Sequence, residues 1–448
     1  MLIVGIATKP KTEKNGAWIF LIVLGLLLIL GGVGLIIWGA VVNRNNNNNN
    51  NSTCKSPTGP DNIPKNPVGV PITGAAGQNF GTTVALSNNG LVAFVSAISA
   101  PTPLIDVYSR TCQQSPWSLI STISGPSGES WGSTIDCSGD GSVLVVGSPL
   151  FPIATNQTGK VHIYRRSNNT WTPEMSFASD AAVGVSSSYG NSVSIDSAGA
   201  IIAVGDANYN SNHGRTQILR FSAGSWTRGQ NLAGSDQNGT PLEGFFVKLS
   251  RNGTILVATG PEDTSLGPGL GFRGAVWTYQ NTGGVFSQLG VKLQNPDTVG
   301  AAKFGFTVAL NDTGNIMSVG SNTTDGANYA SVIVFGRVST TWNKIQTLTV
   351  IPGLGDPVAA GYGTSLWSNG TGNVLAVGAP GFNSNQGTVG LYNLVAGMLT
   401  YNTSINPTTT GGSFGALGSL RINSNSNAAI VGAGQQNTGA GAVYNFAA

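Results

Sequence analysis

From residue 77 onward the chain repeats itself seven times, and a repeat of this length constrains the fold more than any single motif. The copies open as NFGTTVALSNNGLVAFVSA, SWGSTIDCSGDGSVLVVGSP, SYGNSVSIDSAGAIIAVGD, EGFFVKLSRNGTILVATGP, KFGFTVALNDTGNIMSVGS, GYGTSLWSNGTGNVLAVGAP and SFGALGSLRINSNSNAAIVGA. Their opening glycines, Gly81, Gly132, Gly190, Gly244, Gly305, Gly363 and Gly415, lie 51 to 61 residues apart. Further apolar runs follow each opening, such as GKVHIYRR and NTWTPEMSF in the second copy, so a full copy has four runs, A to D. Four short strands per unit, separated by Gly-, Asn- and Ser-rich turns, describe a propeller blade. No copy holds the roughly 10 to 12 residues of helical periodicity that an α-solenoid needs. The expected fold is all-β, a seven-bladed β-propeller over residues 66–448. With 64 glycines in 448 residues and only 9 % charged side chains, composition agrees with many turns and many strands.

The seventh copy stops after its third run, GAVYNFAA, leaving its blade one strand short. The segment VGVPITGAA precedes the first copy, in the slot a fourth strand would fill. Residues 67–73 are therefore expected to form the outer strand of the last blade, with Pro71 tolerated at an edge where a missing N–H costs little.

A single transmembrane helix is expected at the N-terminus. Residues 17–42, AWIFLIVLGLLLILGGVGLIIWGAVV, carry no charge and exceed the roughly 20 residues that cross a bilayer as a helix. In a helix, Trp18 and Trp38 would stand about 30 Å apart, one at each interface. Lys9, Lys11 and Lys14 precede the span and only Arg44 closely follows it, which predicts a cytoplasmic N-terminus, residues 1–16, and an extracytoplasmic remainder. Gly25, Gly32 and Gly39 share one helix face, where a second copy of the chain could approach as a homo-oligomer. The tract NRNNNNNNNST and the Pro-rich run after it read as a stalk over residues 43–65. A net charge of +3 with no basic cluster beyond the N-terminus gives no footprint for nucleic acid.

These copies resemble the FG-GAP repeats of the integrin α-chain propeller. Phe80-Gly81, Phe304-Gly305 and Phe414-Gly415 match the first dipeptide, and Gly378-Ala379-Pro380 the second; Trp131-Gly132, Tyr189-Gly190 and Tyr362-Gly363 are aromatic variants, and Glu243-Gly244 departs from the pattern. The resemblance implies a ring whose loops recognise partners, and it raises calcium, because such blades often carry a DxDxDG loop between strands A and B. Here the equivalent turns are SNNG, DCSGDG, DSAG, SRNG, NDTG, SNGTG and NSNSN, and none offers the converging carboxylates a hard cation needs. Asn, Asp, Ser and Gly are what such bends require without metal. The segment Asp206-Ala-Asn208-Tyr-Asn210-Ser-Asn212 echoes an EF-hand start but has Ser211 and Gln217 where Gly and Glu belong. No metal or cofactor is expected.

In a four-stranded blade the A–B and C–D turns share one face of the ring, and the B–C and D–A connections the other. The stalk should enter on the A–B face, leaving the longer B–C loops distal to the membrane. Candidate partner contacts there are Phe151, Tyr209, His213, Arg215, Glu262, Asp263, Phe272, Arg273 and Phe382. Of three cysteines, Cys54 is expected to pair with Cys112, with Cys112–Cys137 as the rival. Sequons stand at Asn51, Asn156, Asn168, Asn238, Asn252, Asn311, Asn322, Asn369 and Asn402. With 18 acids, two histidines and no recurring constellation at strand ends, a non-enzymatic, membrane-anchored recognition or adhesion protein for a protein or glycan partner is expected. The alternatives are a structural protein of an envelope or virion membrane and, less favoured, a glycan-active propeller enzyme.

Overall fold

The computed structural model describes residues 63–448 apart from 100–101, 151, 154–155, 182–186, 265–271, 298–301, 322–329, 349, 409–411 and 436–438. Before residue 63 it describes only two strands, Val23–Leu30 and Val33–Ala40, paired antiparallel within a separate N-terminal unit, Met1–Thr53. The other residues of the expected span 17–42, the tail 1–16 and most of the expected stalk lie outside those described. Among the described residues no helix is long and apolar enough to cross a membrane.

The second unit, Cys54–Ala448, is a seven-bladed β-propeller. In blades 1 to 6 the strands pair antiparallel in the order A-B-C-D. Blade 2 is typical, with Thr134–Cys137, Val143–Ser148, Lys160–Ser167 and Thr170–Ala178. The seven A strands are Phe80–Leu86, Thr134–Cys137, Val193–Ile195, Phe246–Leu249, Phe304–Leu310, Ser365–Ser368 and Leu420–Ile422. B strands such as Val143–Ser148 are buried along their whole length, because both faces are covered by neighbouring blades. D strands form the rim, and in blades 2 to 6 each buries a large residue near its start: Trp171, Trp226, Phe286, Trp342 and Leu399. The core lies between blades. Phe94 and Ile105 of blade 1 pack with Trp131, Ile135 and Leu144 of blade 2. Each such side chain, taken out of water, stabilises the ring by about 1.5–3 kcal/mol.

The repeated glycines meet across those interfaces. Each opening glycine has φ between 77° and 92°, a conformation that a Cβ would strain. A Cβ on Gly147, in strand B of blade 2, would lie 2.1 Å from the carbonyl oxygen of Gly190, the opening glycine of blade 3. Gly205 and Gly244, Gly320 and Gly363, Gly378 and Gly415, and Gly432 and Gly81 repeat the contact. The two glycines of the repeat are thus one feature, a close approach of adjacent backbones, and their spacing along the chain reflects a contact between neighbours.

Blade 7 closes as expected. Its C strand, Ala442–Ala447, pairs with two short pieces from the start of the domain: Asn66–Pro67 opposite Ala447 and Phe446, and Ile72–Thr73 opposite Val443 and Ala442. Pro71 lies in the gap between the two pieces. The folded ring begins before the expected boundary at 66, since Ile63 is 1 % exposed and packs with Tyr444 and Phe446.

Candidate functional site

The seven A–B turns share one bond. In each, the side-chain oxygen of the first turn residue accepts the backbone N–H five residues on: Ser87 from Val92, Ser138 from Val143, Asp196 from Ile201, Ser250 from Ile255, Asn311 from Ile316, Asn369 from Val374, and Asn423 from Ala428, at 2.9–3.0 Å. These oxygens are spent on backbone donors. Asp136 and Asp140, which give the second turn its calcium-loop look, have separate tasks: Asp140 accepts from Ser138 and Ser142 within the turn, whereas Asp136 points toward the ring axis. In the loop after Asp206, that carboxylate holds Arg215 and Ser187.

The next residues of these turns hydrogen-bond to one another in a closed circle. Asn88 N–H donates to Gly139 O, Gly139 to Ser197, Ser197 to Arg251, Asn252 to Asp312, Asp312 to Gly370, Gly370 to Ser424, and Ser424 back to Asn88, at 2.7–3.2 Å. Every turn therefore touches the next, and the axis is shut on this face. Asn66, paired with the last residues of the C-terminal strand, enters on the same face.

The other end of the axis is open. Alternate residues of a strand point the same way, so each A strand presents two tiers to the axis. The upper tier is Thr83, Thr134, Ser192, Phe246, Thr307 and Ser365, which line a cavity of 380 Å³ together with Leu242, Phe245 and Leu417 at its mouth. The lower tier is the floor: Trp367 from blade 6, with the Lys248 ammonium 3.8 Å and the Arg421 guanidinium 4.3 Å from its ring centroid. The Trp367 indole N–H donates to Ile422 O at 2.7 Å, fixing the ring. Beneath lies a void of only 10 Å³, bounded by Lys248, Arg251, Asp312 and Asn423, before the turn circle. The axis is a blind funnel that opens on the B–C face.

Its charge sits at the floor. Asp136, 1 % exposed, lies 3.7 Å from Lys248 and accepts from Ser194 Oγ and Ile195 N–H, each at 3.2 Å. Burial works to raise the Asp136 pKa, but Lys248, Arg251 and Arg421 outweigh it and hold the carboxyl below its usual range. Burial pushes Lys248 down to about 7, with Asp136 pulling the other way and the two guanidiniums adding to the fall. Arg421 donates to Leu420 O, Gly418 O and Ile135 O and is the only charged residue on the funnel wall among the described residues.

The loop residues named from sequence are placed differently. Tyr209, His213 and Arg215 do gather around a surface cleft of 190 Å³ in blade 3, and His213 is exposed. Exposure fails for two of the eight that are described. Arg215 is 4 % exposed, stacked under Tyr209 and paired with Asp206 at 3.1 Å and with Asp180. Asp263 is fully buried against Lys292 at 2.7 Å. Both fasten loops. Glu262, Phe272, Arg273 and Phe382 are partly buried and line neither the funnel nor that cleft; Phe151 lies outside the described residues. The funnel residues were missed because an inward-facing Thr or Ser in an A strand reads as ordinary alternation. The one signal was irregularity, an Asp, a Lys, a Trp and an Arg where the other three copies have Ala or Ser.

Two sequons are corrected. Asn311 and Asn369 are 2 % and 3 % exposed, and their side-chain amides are engaged inside the turns, so neither can carry a glycan in the folded ring. Asn168, Asn238, Asn252 and Asn402 are exposed; the side chain of Asn156 lies outside those described, as do Asn51 and Asn322. Cys112 is disulfide-bonded and Cys137 is a buried free thiol, which excludes the rival pairing; Cys54, the expected partner, lies outside the described residues.

Glu243, the departure from the aromatic-glycine pattern, is fully buried and accepts the Tyr279 hydroxyl at 2.7 Å, filling with a hydrogen bond the place of the aromatic residue in other blades.

No protein-family model matches the chain, and no curated protein matches it in sequence. Similar solved structures differ widely in name. The β-propeller domain of Cps50 (Swd1) from Myceliophteria thermophila superposes with a TM-score of 0.55 at 8 % identity, covering 85 % of this chain and 100 % of that one. Hydrazine synthase from Kuenenia stuttgartiensis gives 0.53 at 12 %, covering 81 % and 94 %. A periplasmic gluconolactonase from Pseudomonas aeruginosa gives 0.50 at 14 %, covering 73 % and 86 %. At these identities the likeness is one of fold.

Proposed function

We propose that this chain is a non-enzymatic recognition protein that receives its ligand, a glycan or a segment of a protein, in the blind axial funnel. The observation that carries this reading is the funnel itself: closed at one end by the turn circle, open at the other, and lined by hydroxyls, apolar side chains and one guanidinium. Hydrolysis by side chains needs a positioned acid, base or nucleophile pair, and the described lining holds no carboxylate or imidazole. Membrane anchoring through residues 17–42, with the ring extracytoplasmic, is supported by the uncharged sequence and its flanking lysines. The kinship with FG-GAP propellers is supported by the glycine pairs that meet between blades.

The test is a glycan array and a peptide array probed with the full-length chain in mild detergent, alongside Phe246→Asp at the funnel wall and His213→Ala on the outer loop. Binding lost in F246D and kept in H213A supports the funnel. Binding that ignores F246D and falls in H213A moves recognition to the loops. Turnover of gluconolactone by the wild-type chain would replace the reading with an enzymatic one, and silence on both arrays with abundance in purified particles would favour the structural alternative.

A further inference from the structure

We propose that the ligand of the funnel is an acidic saccharide of one or two rings, whose carboxylate is held at Arg421; this rests on the funnel being the binding site. The charge of the floor sets the sign. Arg421 lines the cavity, Lys248 and Arg251 stand close behind it, and the carboxylates nearby are Asp136 and Asp312. Asp136 is already taken up by Lys248, Ser194 and Ile195. The Arg421 guanidinium places positive charge on the wall at the end of a low-dielectric cleft, where field lines focus and an anion is drawn in. A cationic ligand would be repelled. A polyphosphate would face too few cations, since recognition of several negative charges normally calls for several donors in fork or cradle geometry.

Two further observations fit a saccharide body. Thr307 Oγ1 and Arg421 Nε are both buried and lack a hydrogen-bond partner among the described residues, and both residues line the funnel. Thr307 is fully buried, and its hydroxyl has no hydrogen-bond partner among the described residues. A ligand oxygen arriving in the funnel would relieve that deficit. The aromatic surfaces of Phe245, Phe246 and Trp367 supply the apolar contacts that ring C–H groups need, between the hydroxyls of the upper tier. At 380 Å³ the cavity is near the lower end of the roughly 300–1,000 Å³ of small-molecule sites, which suits one or two sugar rings.

The experiment compares glucuronate with glucose, which differ only by a carboxylate in place of a hydroxymethyl group, using ligand-observed NMR on the full-length chain in detergent. Glucuronate is expected to bind about tenfold tighter, as one charge-assisted contact would give, and to weaken with added salt. Arg421→Gln should abolish the preference and Arg421→Lys should retain part of it, with thermal melting confirming that each variant is folded. Equal binding of the two sugars, no binding of either, or a preference that survives R421Q would overturn the proposal. If those results came with array binding still lost in F246D, the funnel would stand and only its acidic specificity would fall. Array binding indifferent to F246D would remove the site itself.

Discussion

The backbone N–H of Ser424 donates to the carbonyl oxygen of Asn88 at 3.2 Å, although 336 residues separate them, and this bond joins the turn of the last blade to the turn of the first. Six equivalent bonds complete the circle. Together with the glycine contacts between blades, it fixes the distance of every A strand from the axis, and so the width of the funnel.

The turn oxygens hold this circle in place. In Asn369→Ala the N–H of Val374 loses its acceptor, and Asn373 and Ser426 lose a donor. Leaving the buried Val374 N–H and Ser426 hydroxyl unpaired is expected to cost about 1–3 kcal/mol, read as a lower urea midpoint. Asn402→Ala, on an exposed position of a D strand, should change stability by less than about 0.5 kcal/mol. Calcium should leave the wild-type melting temperature unmoved; a calcium-dependent rise would show that the turn oxygens are available after all.

Two buried groups predict a stability minimum near neutral pH in their joint contribution. Burial raises Glu243 to about 7, so the folded ring holds a proton there that the unfolded chain releases above its ordinary value of 4.5. That stabilisation is full below 4.5 and is lost as pH rises through 7. Lys248, lowered from 10.5 to about 7, works in the adjoining window: the unfolded chain binds the extra proton between 7 and 10.5, so stability recovers as pH rises there. Glu243→Gln should flatten the acid limb of melting temperature against pH, and Lys248→Met the alkaline limb. Limbs unchanged by both substitutions would refute the assignment.

The thiols give a count. Cys137 is buried and its pKa is pushed up to about 12, by burial first and by the neighbouring Asp136, so it should resist alkylation in the native ring. Mass spectrometry after iodoacetamide treatment is expected to find no label in the native state. One label, on Cys137, should follow denaturation without reductant, and three should follow reduction. Two or more labels before reduction would mean that Cys112 is not oxidised in the purified protein.

Ile63 marks where the folded domain begins. Ile63→Ala removes a buried side chain from the cluster around Tyr444 and Phe446 and should cost about 2–5 kcal/mol. Val70→Ala, at a position 89 % exposed between the two closing pieces, should be near neutral. Equal effects in thermal unfolding would return Ile63 to the stalk.

Most of the ring was legible because its signals are local and repeated seven times: strand runs, turn residues and an opening glycine. The closure by residues 66–73 followed from counting strands. The site was harder to read, because its residues are one per blade and meet only at the axis. Asp136, Lys248, Trp367 and Arg421 lie in four different copies, and each looks like a lapse from the repeat until the ring is closed. The opposite error came from the loops, where polarity suggested exposure but Arg215 and Asp263 turn inward to pair. Asn311 and Asn369 show the same limit, since a sequon triplet and a turn cap can be spelled alike.

The circle of turns also divides the surface into a conserved-length side and a permissive one from the engineer's standpoint. Lengthening any A–B turn by a residue would break register with two neighbours at once, so changes there would have to come in sets. The B–C connections carry no such mutual constraint and already range from the six residues 98–103 of blade 1 to a loop with its own strand pair, Pro152–Ile153 and Asn156–Gln157. Grafted peptides, tags or new binding loops belong on that rim, around a funnel whose wall they would extend and whose diameter they would leave alone.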